Sequence, residues 1–177
     1  SKCDSINKIS DVFVMNNIAC FWQFTAKTYN GDDGDGKLIL INQRTNKILL
    51  EDHDYYQDVC YAIDFKAVNS NNFKDVNFDG CKDFVVFNRT GSGSGGEVYN
   101  IYLFDKKTSG YRKSELSGAY PTIDSINRTL KTSWRSGAYS YSENTTYFDQ
   151  KGKVKYTMIY EEDPVSEDVI VRKSKKK

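Results

Sequence analysis

The chain has 177 residues, a formal net charge of +1, only two Pro, and 14% aromatic residues, among them 13 Tyr and 10 Phe. A domain of that size buries a core without staples, and aromatic side chains favour strands, where they pair across a pleated surface. No run of about 18 apolar residues is present to form a membrane-spanning helix, and no basic face interleaved with aromatics is present to grip nucleic acid.

In chain order, 11–26 (DVFVMNNIACFWQFTA) is apolar but broken at Asn16-Asn17, which reads as two short strands or one bent one. The stretch 29–36, YNGDDGDG, is a turn by composition. KLILI and KILLE, separated by Asn42 to Asn46, predict a β-hairpin with a short polar loop. After the polar DHDYYQD, the alternation of VCYAIDF (59–65) predicts a half-buried strand. NSNNFKDVNFDGCKD is an acidic loop, left by the strand DFVVF. A Ser/Gly loop, the strand EVYNIYLF and the turn DKKTSG follow, and YRKSEL begins the next strand. Turns of this kind recur at 42–47 and 149–153, suggesting a meander of hairpins. One short helix is expected near 114–129, limited by Gly118 and Pro121. LKTSW, TTYF, KYTMIYEE and DVIVRK complete the set.

About twelve short strands with regular turn signals predict an all-β, antiparallel meander, either sandwich, barrel or propeller-like. Residues 1–171 form a single β domain, and 172–177 read as a basic, disordered tail. Five of the 25 basic residues lie in that tail, so the body carries 20 against 24 acidic residues, a net of −4.

Cys3, Cys20, Cys60 and Cys81 allow three full disulfide pairings, and the spacing does not choose among them. With no C-x-x-C and His53 the sole histidine, a tetrahedral zinc site is not expected. No signal-peptide pattern opens the sequence. Cys3 is a candidate for a lipid anchor, although no lipobox precedes it.

The acidic loop carries the sharpest chemistry. Asp75, Asn77, Asp79 and Asp83 match D-x-N-x-D-G-x-x-D. Ca²⁺ takes six to eight hard oxygen ligands, and alternate side chains of a tight loop converge on one point. Gly80 permits the bend after the third ligand, and the carbonyl of Cys81 adds a ligand. An EF-hand needs Glu at the twelfth position, where Val86 stands inside a strand. The loop therefore resembles the integrin-like, FG-GAP-like version of a Ca²⁺ site. Neutralising three carboxylates would fix a loop that otherwise repels itself, so the ion's expected role is structural. Asp32, Asp33 and Asp35 lack the alternate spacing and read as a hairpin turn.

In RTGSGSGGEVYN, Gly91, Gly93, Gly95 and Gly96 surround Ser92 and Ser94. No G-x-x-x-x-G-K-[ST] is present, so this is not a phosphate loop. No helix follows and no histidine partner is marked, so it is not a nucleophile elbow. It reads as a mobile hairpin loop or, more sharply, a protruding loop whose backbone can approach a partner closely. No pair of carboxylates is marked out by spacing, and the chain is expected not to be an enzyme.

The run D-V-N-F-D-G-C-K-D-F, the Ser/Gly loop, V-Y-N-I-Y-L-F-D-x-x-T-S-G-Y and L-K-T-S-W-R-S-G-A-Y-S-Y together resemble a group of bacterial envelope proteins. These are immunity proteins and lysozyme inhibitors related to the periplasmic inhibitors of invertebrate-type lysozyme. The resemblance covers roughly residues 60 to 163. It implies an antiparallel β fold, a Ca²⁺ loop, a periplasmic or envelope location, and small loops that plug a lysozyme-like hydrolase or toxin effector. Carried over by position, the partner-binding candidates are Ser92, Gly93, Ser94 and Gly95 in one loop, and Arg135, Ser136, Gly137 and Tyr139 in a second. A lysozyme cleft works with a carboxylic acid and a carboxylate, which hydroxyls and backbone N–H groups can hydrogen-bond. Tyr139 and Tyr141 would add rigid rim contacts. The alternative reading is a Ca²⁺-stabilised adhesion or carbohydrate-binding β module in which Trp22 and Trp134 stack on sugars.

Overall fold

A computed structural model describes residues 5–27, 34–57, 63–90, 96–135, 141–162 and 169–174. The strands are β1 (Ser5–Ile9), β2 (Phe13–Met15), β3 (Ile18–Lys27), β4 (Gly34–Asn42) and β5 (Ile48–Gln57). Helix α1 (Phe65–Asn72) comes next. Then follow β6 (Phe73–Lys74), β7 (Asp83–Thr90), β8 (Glu97–Asp105), β9 (Gly110–Lys113), β10 (Gly118–Asp124), β11 (Thr129–Arg135), β12 (Tyr141–Phe148), β13 (Val154–Glu162) and β14 (Val169–Ser174). They form two antiparallel sheets. The first runs β1-β3-β4-β5 with β2 also on β3; the second runs β14-β13-β12-β11-β10-β8-β7-β6 with β9 on β8. The all-β meander expected from the sequence is the fold, with no closed barrel among the described residues.

The core follows from strand alternation. In β3, Cys20, Trp22, Phe24 and Ala26 are buried, every second residue, so one face of the first sheet is covered and the other is wetter. In β7, Asp83, Phe84, Val85 and Val86 are all buried, because this strand is covered on both faces. Phe84 and Val86 join Trp22, Leu38, Leu40 and Leu50 between the sheets, with the Trp22 and Phe84 rings 5.2 Å apart. Val85 joins Ile101, Leu130, Phe148 and Val76 in a second cluster on the opposite face. Each large side chain so buried contributes about 1.5–3 kcal/mol.

Three expectations are corrected. The helix lies at 65–72, not near 114–129. Asp64 caps it, its carboxylate accepting from the N–H groups of Lys66 and Ala67 at 2.9 and 3.1 Å. Val68 then enters the core, and Asn69 accepts a 2.7 Å hydrogen bond from the Trp22 indole. Residues 118–124 are instead β10, a strand with a bulge between Ala119 and Thr122. The expected strand 59–65 ends differently too, since Asp64 and Phe65 begin the helix. Part of the expected disordered tail is strand instead: Arg172, Lys173 and Ser174 pair with β13, the Lys173 ammonium sits 4.0 Å over the Tyr156 ring, and 175–177 lie outside the described residues. No helix among the described residues is long and apolar enough to cross a membrane.

Candidate functional site

The acidic loop between β6 and β7 is where several turns of the fold meet. Asn16, in the β2–β3 turn, grips Lys82 twice: its Oδ1 accepts from the backbone N–H at 2.8 Å and its Nδ2 donates to the carbonyl at 2.9 Å. Lys106, in the β8–β9 turn, donates to the Asp79 carbonyl at 2.7 Å. Arg128, in the β10–β11 turn, donates through Nη2 to the carbonyls of Phe78 (2.8 Å) and Asp149 (2.6 Å). Its guanidinium also lies over the Phe78 ring. Gly152, in the β12–β13 turn, sits so close that a β-carbon there would lie 2.6 Å from Cβ of Asp79. The stretch that is most self-repelling in the sequence is thus held by four separate turns.

Inside the loop the carboxylates serve its own backbone. Asp75 accepts from the N–H groups of Asp79 (3.1 Å) and Gly80 (3.0 Å). Asn77 Oδ1 also accepts from Asp79 N–H, at 3.2 Å, and Asp79 accepts from Cys81 N–H at 2.8 Å. Gly80 has φ +84°, the left-handed conformation expected of it. Asp83 differs from the rest. It is fully buried, and its two oxygens accept from Val76 N–H (2.9 Å) and Phe104 N–H (2.8 Å).

Burial pushes the Asp83 carboxyl up to about 7 against those two hydrogen bonds, and the charges of Asp79 and Asp75 push it further the same way. The donors are all oxygen, the chemistry Ca²⁺ selects. Among the described residues no three His, Cys, Asp or Glu side chains gather into one cluster that could hold a metal ion. Cys81 is partly exposed and Cys20 is buried, its thiol pushed up to about 11 by burial; both are free. Cys3 and Cys60 lie outside the described residues.

The partner-binding candidates Ser92, Gly93, Ser94, Gly95, Ser136, Gly137 and Tyr139 lie outside the described residues, as does the side chain of Arg135. The strands that carry them are described. β8 and β11 are both antiparallel to β10, where Ala119 pairs with Val98 and with Ser133. One candidate loop precedes β8 and the other follows β11. The two therefore leave from opposite ends of these strands.

A residue to which the sequence assigns no role stands against Gly96, the first described residue after the Ser/Gly run. Tyr120 is 57% exposed and has φ +48°, a conformation that costs a bulky residue of order 1–2 kcal/mol. It sits at the β10 bulge, and its ring lies so close to Gly96 that a β-carbon there would force the ring to move. The signal was a repeated tetrapeptide: S-G-A-Y occurs at 117–120 and again at 136–139. Of the two tryptophans proposed to stack on sugars, Trp22 is fully buried in the core, whereas Trp134 is 39% exposed.

No protein-family model matches the chain, and no curated protein matches it either. A solved structure described as that of a Xanthomonas type IV secretion system related protein is similar in fold, with a TM-score of 0.51. The likeness extends over 97% of this chain and 88% of that one, at 13% sequence identity.

Proposed function

We propose that the protein is a Ca²⁺-binding envelope protein that occludes the active-site cleft of a lysozyme-like peptidoglycan hydrolase, as an immunity protein does against a secreted antibacterial effector. It acts by binding and not by catalysis. The observation that carries this reading is Tyr120, an exposed aromatic held in a strained conformation against Gly96 at the root of a Ser/Gly loop. Strain of that kind persists only where the surroundings enforce it, and it clusters at binding sites. Bulges likewise serve to re-aim a side chain.

The contact centres on Ser92, Gly93, Ser94 and Gly95 together with Tyr120. Serine hydroxyls, backbone N–H groups and a phenol are donors suited to the acid and carboxylate of a glycosidase cleft. Arg135, Ser136, Gly137 and Tyr139, leaving the opposite end of the strands, form a secondary flank. Ca²⁺ would be held by Asp75, Asn77 and Asp79 with the Cys81 carbonyl, and Asp83 behind them. Its chemistry is charge neutralisation, which a loop holding the carboxylates of Asp75 and Asp79 beside a buried Asp83 favours. The fold likeness to a secretion-system related protein supports a periplasmic or envelope setting, where a lipid on Cys3 would tether the chain. Immobilised protein should retain a lysozyme-type hydrolase in Ca²⁺ and inhibit it. Failure to retain or slow any such hydrolase would remove this reading.

A further inference from the structure

A second surface carries an inference independent of the Ser/Gly loops. One face of β11–β14 forms a groove of about 430 Å³, reached also by Leu103 of β8 and by the 114–117 turn. That volume lies within the roughly 300–1,000 Å³ of small-ligand sites. Strand register builds its floor. Thr132 pairs with Asn144, Thr146 with Thr157, and Thr157 with Ser174, so hydroxyls and an amide run in rows across neighbouring strands. The Thr146 and Thr157 hydroxyls are 3.1 Å apart. On the same face Leu130 and Phe148 belong to the apolar core, so the change from apolar to hydroxylated side chains marks where the core stops and the groove begins. Trp134, two residues beyond Thr132 on that face, is the exposed aromatic of the lining.

We propose that this groove binds a neutral oligosaccharide. A pyranose presents an apolar ring face and a rim of hydroxyls. The groove offers the complement: an indole and two leucines for the ring face, and an amide and hydroxyls for the rim. Among the described residues its one ionisable lining residue is Glu115. A separate depression lined by Arg128, Lys151, Lys153 and Lys155 with Asp149 is basic by contrast, so the molecule separates a neutral groove from a cationic one. Among the described residues no cation lines the groove, which argues against an anionic ligand.

The test uses the two tryptophans. Since Trp22 is fully buried, a ligand-induced change in emission reports Trp134. Chitotetraose and cellotetraose serve as neutral probes, and polygalacturonate as the anionic one. A saturable emission shift with at least one neutral probe is expected. By calorimetry, Trp134→Ala should abolish that binding, and Asn144→Ala should weaken it about 10-fold. If Trp134→Ala does not fold, Asn144→Ala alone decides. No emission change or heat with either neutral probe would overturn the proposal. So would binding that survives the variants, tighter binding of polygalacturonate, or a groove variant that loses only hydrolase binding.

Discussion

The carboxylate of Asp83 accepts the backbone N–H of Phe104 at 2.8 Å, joining the strand that leaves the acidic loop to the strand beside it. Its other oxygen takes Val76 N–H. This aspartate therefore belongs to the scaffold before any ion is considered, whereas among the described residues the Asp79 carboxylate accepts from the N–H of Cys81 alone, two residues on. The two positions should respond differently to mutation. Asp83→Ala leaves two buried donors unsatisfied and is expected to cost about 2–4 kcal/mol, with or without chelator. Asp79→Ala should change stability little in chelator and should abolish the rise in melting temperature on adding Ca²⁺. Calorimetric melts in Ca²⁺ and in EGTA check both. A wild-type melt indifferent to chelator would remove the ion.

Arg128 ties the acidic loop to the β12–β13 turn through two carbonyls, while its buried Nε finds no partner among the described residues. Arg128→Met should lose those charge-assisted bonds and lower stability by about 2 kcal/mol. Amide exchange should quicken at 75–82 and 149–153 together. Faster exchange in one segment alone would mean that the two are not coupled.

Tyr120 should show stability and binding moving apart. Tyr120→Gly relieves the positive φ, a gain of about 1 kcal/mol set against lost ring packing on Gly96. The melting temperature is expected to hold within a few degrees while affinity for the hydrolase falls at least about 10-fold. Unchanged affinity would place Tyr120 outside the contact.

The two Ser/Gly loops should be unequal. Ser94→Arg is expected to weaken inhibition strongly without unfolding, and Gly137→Arg to weaken it less, because β8 and β11 run the same way and one loop precedes its strand while the other follows it, so the two leave in opposite directions. Titration of hydrolase activity with each variant ranks them. Equal and full inhibition by both would mean that neither loop is the contact.

The hairpins were legible because their turns are written in side chains. Asn42 accepts from the N–H groups of Arg44 and Thr45, Asp105 from Lys107, and Asp149 from Lys151 and Lys153. These are local side-chain bonds that fix a turn whatever surrounds it. Helix α1 was not legible, because NSNN is a weak helix former. Its stability comes from outside the segment, through Trp22 on Asn69 and the Asn72 amide on the Val85 carbonyl at 2.6 Å. The acidic loop announced itself by spacing, but the inward turn of Asp83 depends on Phe104, 21 residues away. Tyr120 was hidden for the same reason: a positive φ at a bulge is set by strand pairing.

The most direct measurement of the central claim is the rate of peptidoglycan clearing by a lysozyme-type hydrolase as this protein is added in Ca²⁺. The account predicts stoichiometric inhibition by the wild type, and loss of that inhibition when Ser94→Arg and Tyr120→Gly are combined in a chain that still melts cooperatively. Undiminished clearing at every wild-type concentration, or equal inhibition by the double variant, would contradict it.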